Sequence, residues 1–207
     1  MTRLANLPSQ PGKINVHEFD YKGENQVIYE ENGVTIKSWP AIHAGDGSVS
    51  MALYWNGMKV VIGGDTKPNT WYIKYAKDAD VAIHEAFLTP EQLVTMYGQS
   101  PQSALGVGTV VHTPPQAFGK IMSTIKPRHA IAYHFLNESG TRDKVDEYIR
   151  TTYDGPLTLA EDMLVWNITK ENIKVRTVIS TDDAWSVPGP NKPQKPDHTV
   201  PSQLSKE

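Results

Sequence analysis

Three short stretches of this chain set metal-type donors where an apolar run gives way to a turn. They are Ala41-Ile42-His43-Ala44-Gly45-Asp46, Gly63-Gly64-Asp65-Thr66 and Ala132-Tyr133-His134-Phe135. Imidazole and carboxylate hold borderline and hard cations, and an Asp can bridge two ions. His43, Asp65 and His134 are therefore candidate metal ligands. Two further stretches, Ala82-Ile83-His84-Glu85-Ala86-Phe87 and Val111-His112-Thr113-Pro114-Pro115, add imidazoles suited to proton transfer or to contact with an anion. His84 and His112 are the candidate catalytic groups. Each has a plainer reading as well. Asp65 fits an Asx turn, His84 a histidine fixed by a neighbouring helix, and Thr113 a simple helix cap. Shared position is what joins them, because all five fall at a predicted strand end or helix start. In α/β sheets those ends line one cleft. Of the other histidines, His17 has an irregular setting, His129 precedes a strand, and His198 sits in the C-terminal segment.

The elements that carry these residues are legible. Gln26–Tyr29 and Val34–Trp39 read as strands joined by Asn32-Gly33, a pair that tolerates the positive φ of a tight hairpin. Ser48–Trp55 alternates polar and apolar residues, and Asn56-Gly57 returns it to the strand Lys59–Ile62, which runs into Gly63-Gly64-Asp65. Trp71, Tyr72 and Tyr75 have helical spacing, and Val81–Ile83 reads as a buried strand closed by His84-Glu85. Thr89-Pro90 opens a helix, and Thr113 is expected to cap another through Ile125. Residues 98–110, rich in Gly and Ser, read as a mobile loop. Ala130–Tyr133 is strand, Thr141–Tyr153 helix, and three strands follow within 157–179. Strand–helix alternation between flanking hairpins implies an α/β fold with a mixed sheet and flanking helices. The organisation expected is an arm or linker over 1–25, the α/β domain over 26–186, and a Pro-, Lys- and Ser-rich disordered tail over 187–207.

Composition sets outer bounds. The chain has 207 residues with a net charge of −3, so bulk charge does not support a nucleic-acid partner. It has no Cys, which removes thiolate nucleophiles and Cys-based metal sites. No apolar run reaches the about 18 residues of a membrane span, and the N-terminus lacks the apolar core of a signal peptide, so the cytoplasm is expected.

The five stretches, in order over roughly residues 34–136, resemble the metallo-β-lactamase superfamily, in particular its ribonuclease Z and arylsulfatase-like branch. The resemblance implies the second half of an αββα sandwich. It implies that His43 ligates one metal, Asp65 bridges both, and His134 ligates the other, with up to two zinc ions in the full family site. His84 would act as proton donor or leaving-group stabiliser, and His112 would help bind a scissile phosphate or another oxyanion. The family's His-x-His-x-Asp-His signature is absent from the sequence. The chain therefore reads as a zinc-dependent hydrolase of esters, phosphodiesters, sulfates or amides that is truncated and impaired alone, and its partner would be a complementing N-terminal chain or a second copy. The alternative is a non-catalytic interaction module that keeps a relic half-site. The substrate, a small molecule or a phosphodiester, stays open.

Overall fold

The structure is a computed structural model that describes residues 16–179. Residues 1–15 of the arm expected over 1–25, the tail over 187–207 and His198 lie outside the described residues.

Both expected tight turns form. Asn32 and Gly33 have φ of 52° and 77°, and Asn56 and Gly57 have 51° and 71°. Two positive φ values in succession match the right-handed strand twist. The turns join β1 (Gln26–Glu31) to β2 (Val34–Pro40) and β3 (Val49–Trp55) to β4 (Met58–Ile62). These four strands pair antiparallel. The chain then crosses through α1 (Thr70–Ala76) to β5 (Val81–Glu85). It continues through α2 (Pro90–Tyr97), α3 (Pro101–Gly106) and α4 (Pro115–Ile125) to β6 (His129–Tyr133), and through α5 (Ser139–Arg150) to β7 (Leu157–Leu159). From β4 to β7 the pairing is parallel, giving a seven-stranded mixed sheet in chain order. A separate hairpin of β8 (Leu164–Ile168) and β9 (Ile173–Thr177) follows.

One face of the sheet carries the core. Trp39, Ala52, Val61, Ala82, Ala130 and Ala132 are buried there against Tyr72, Phe118, Met122, Ile125 and Ile149 of the helices. The alanines let the helices sit low. Close approach also sets the α4–α5 crossing, where a Cβ on Gly119 would lie 2.7 Å from the Ile149 carbonyl oxygen. Strand alternation sends the neighbouring residues to the other face, where Met51 lies opposite Ile62 and Trp55 opposite Met58. Ile62 is 48% exposed and Trp55 51% exposed.

Two expectations change here. The segment expected as a loop over 98–110 is helical from Pro101 on: Ser100 caps α3, Pro101 occupies its first position, and a π-helical turn spans Val107–Val111. Its Gly- and Ser-rich composition hid a Ser-Pro helix start. Thr113 does not cap α4, because Pro114 takes that position and the Thr113 hydroxyl donates to the Thr66 carbonyl at 2.6 Å. No helix among the described residues is long and apolar enough to cross a membrane.

Candidate metal centre

The parallel strands deliver their side chains to one edge. The chain leaves β4 through Gly63-Gly64, and a Cβ on Gly64 would stand 2.6 Å from the Val49 carbonyl oxygen, so only glycine allows this turn. Asp65 follows immediately. His134 follows β6 with φ of 66°, a left-handed conformation that is costly for a residue with a Cβ and that concentrates at functional sites. The Tyr133 hydroxyl donates to the Gly63 carbonyl at 2.7 Å and ties the ends of β6 and β4 together. His43 comes from the loop after β2, and His112 from the end of the π-helical turn.

Five donors meet at this edge. His43, Asp65 and His112 each offer one atom, all within 4.8 Å of one another, and so do Glu85, His112 and His134. The His112 ring lies 5.0 Å from that of His43 and 5.1 Å from that of His134, centroid to centroid. Asp65 Oδ1 stands 2.8 Å from His134 Nδ1. That contact lacks hydrogen-bond alignment, so among the described residues Nδ1 is buried without a partner, as is Nε2 of His43. Orphaned buried nitrogens beside carboxylates are costly unless something electrophilic sits between them. Three imidazoles and two carboxylates so arranged fit a divalent cation.

Glu85 is wholly buried. Its Oε1 accepts from the Thr66 backbone N–H, and its Oε2 lies 2.9 Å from His112 Nδ1. Burial pushes the Glu85 carboxyl up to about 8; the Asp65 charge adds to the rise, and the Thr66 and Thr113 backbone N–H groups oppose it. Burial, followed by the neighbouring His134 and His43, pushes His112 down. Both shifts favour the neutral pair, in which the carboxylic acid donates to the imidazole.

The structure places His84 elsewhere. β5 runs two residues beyond the expected Ile83, so His84 and Glu85 point to opposite faces. His84 enters the helix-side core, its ring 4.4 Å from Tyr72 and 6.3 Å from Phe118. Its Nδ1 donates to the Glu85 carbonyl at 2.8 Å, and burial pushes its pKa down to about 4. The expected role for His84 at the site is corrected on this geometry: Glu85 is the β5 residue that reaches the cluster. The period-two alternation of β5 was the signal available for it.

Thr66 is the second residue that sequence reasoning passed over. It is buried, and its hydroxyl accepts from Ile42 N at 2.9 Å and from Asn69 Nδ2 at 3.0 Å. With its backbone bonds to Glu85 and Thr113, it joins the segments that carry His43, Asp65, Glu85 and His112.

No protein-family model matches the chain, and no curated protein matches its sequence. Solved structures do resemble it. The metallo-β-lactamase fold protein YhfI from Bacillus subtilis matches at 18% identity with a TM-score of 0.51, over 67% of this chain and 51% of that one. Human tRNase Z, short form, is 21% identical over 67% of this chain and 44% of its own, with a TM-score of 0.45. Zn(2+)-bound PqqB from Methylobacterium extorquens is 14% identical over 68% and 49%, also at 0.45. The chain thus spans about half the length of these structures. It has part of a metallo-β-lactamase fold, with the mixed sheet and flanking helices expected from the sequence.

Proposed function

We propose that this chain is the cation-binding part of a metal-dependent hydrolase that cleaves an ester, phosphodiester, sulfate or amide bond. The observation that carries the reading is the convergence of His43, Asp65 and His134 at one sheet edge, with two unpartnered buried nitrogens among them. Asp65 is the central donor, grouped with His43 on one side and 2.8 Å from His134 on the other. Imidazole and carboxylate together suit zinc. When bound, the ion supplies Lewis-acid polarisation and a water acidic enough to attack near neutral pH.

His112 and Glu85 do the remaining work. Glu85 fixes the His112 ring through Nδ1; as the Glu85 carboxyl proton passes to Nδ1, Nε2 gives its own proton to the leaving group, or it donates a hydrogen bond to a developing oxyanion. Phe87 stacks on His112 at 4.1 Å and shields it from water on that side.

Zinc sites use about three or four protein ligands per ion. With His112 and Glu85 kept for proton transfer, His43, Asp65 and His134 supply three ligands, enough for one ion. A second copy of the chain that lends further ligands and covers the face bearing Ile62 and Trp55 completes the site in this reading. Those exposed apolar residues also favour the alternative, an interaction module without catalysis.

The test is hydrolysis of p-nitrophenyl acetate and bis(p-nitrophenyl) phosphate by the zinc-supplemented chain. The expected result is zinc-dependent turnover that falls about 100-fold or more in His112→Ala and Glu85→Gln. A zinc-loaded chain that is inert toward both, yet forms a stable oligomer, would favour the interaction module.

A further inference from the structure

Beside the imidazole cluster lies an apolar cavity of ≈ 360 Å³. Its walls include Phe87, Leu88, Leu93, Tyr97, Leu136 and the ring of His134. We propose that this cavity is the substrate's recognition subsite, and that it takes an aryl or similarly bulky apolar group attached to the scissile bond. The inference rests on the proposed hydrolase reading for its link to catalysis, and on the cavity itself for the class of ligand.

Three observations support it. First, the cavity and the donor cluster share walls. His134 belongs to both, and the ring of Phe87 lies between them, stacked on His112 at 4.1 Å and edge-on to His134 at 5.3 Å. A substrate whose reacting group meets the imidazoles can lay its next atoms along Phe87.

Second, the lining fits one chemistry. Among the described residues, its polar groups come from Gln99, His134 and the Tyr97 hydroxyl, and none of Lys, Arg, Asp or Glu lines it. An anionic or strongly hydrated group would lose its solvation there without compensation. Pockets that bind small molecules are typically apolar with a few convergent polar groups, as here. An apolar cavity of about 150 Å³ accepts benzene, so this volume admits a substituted or two-ring aromatic group and excludes a folded nucleic acid.

Third, the wall is built rather than frayed. Helix α2 carries Leu93 and Tyr97, and a reciprocal capping box between Thr89 and Gln92 fixes its start. Gly98 in the left-handed conformation fixes its end. Leu88 and Leu93, each 3% exposed, form a small core with Ala104 of α3.

The test uses the full chain and N-phenyl-1-naphthylamine, a neutral two-ring fluorophore, with and without EDTA. Leu136 is 40% exposed, so Leu136→Glu sets a charge at the cavity without disturbing the core. The expected result is saturable binding that EDTA leaves unchanged, that 2-naphthyl acetate displaces and ethyl acetate does not, and that Leu136→Glu weakens at least 10-fold. Tyr97→Ala, which widens the same wall, serves as a second variant and should shift affinity with the fold intact by circular dichroism. Binding that both variants leave unchanged would overturn the subsite. Binding lost in both, from a chain that hydrolyses nothing when loaded with zinc, would sustain the subsite and remove the hydrolase reading.

Discussion

At the scale of single residues, Thr66 ligates nothing yet ties together the segments that carry the donors. Its hydroxyl satisfies the Ile42 N–H and the Asn69 side-chain amide inside the fold. Removing it leaves buried donors unpaired, at about 1–3 kcal/mol. Thr66→Val should therefore lose stability on that order in urea denaturation and bind zinc more weakly by calorimetry, while Thr66→Ser stays near the parent. A Val variant with parental stability and affinity would show that Thr66 does not hold the loops in register. His43, Asp65, His112 and His134 were legible in the sequence because each closes an element with a donor side chain. Thr66 was not, since a buried Thr gives no periodic signal and its partners are distant in the chain. Glu85 fell between these cases: its place in a strand was readable, but its face depended on two residues of strand length.

The elements show why those two residues matter. Extending β5 through Glu85 sends His84 into the core beside Tyr72 and Phe118. Burial holds its pKa near 4, below the ordinary value of 6.5. A depressed histidine pKa means that the unfolded chain binds the proton more readily. Stability is thus full above pH 6.5 and falls as pH drops toward 4, by on the order of 3 kcal/mol. His84→Phe, which keeps the ring and removes the titration, should flatten the stability curve between pH 6.5 and 4. An unchanged slope in that variant would mean that His84 is not the buried titrating group. The same scale explains the other departures. Turn pairs such as Asn32-Gly33 impose their geometry locally, and they folded as read. The 98–110 segment depends on α2 and the Leu88–Leu93–Ala104 cluster for its packing, so its composition misled. Thr113 resembled a cap, but a buried carbonyl across the fold claimed its hydroxyl.

For the molecule as a whole, the two sheet faces are unequal. One is closed by α1, α4 and α5, while the other carries exposed Ile62 and Trp55 beside Met51 and Met58. The fold class was legible because strand–helix alternation and the paired Asn-Gly turns are local signals that agree with one another. What covers the second face is not written in this chain's periodicity, since half-buried strands look alike whether solvent or another layer meets them. The donor cluster lies at the edge of this sheet, so the central claim is that the chain itself gathers a cation. The most direct test is zinc bound per folded chain after gel filtration, measured by plasma mass spectrometry beside Asp65→Ala. The account predicts about one ion per chain, the number these ligands can complete, with little or none in the variant. A folded parent chain that carries no zinc, or an Asp65→Ala chain that keeps it, would contradict the account.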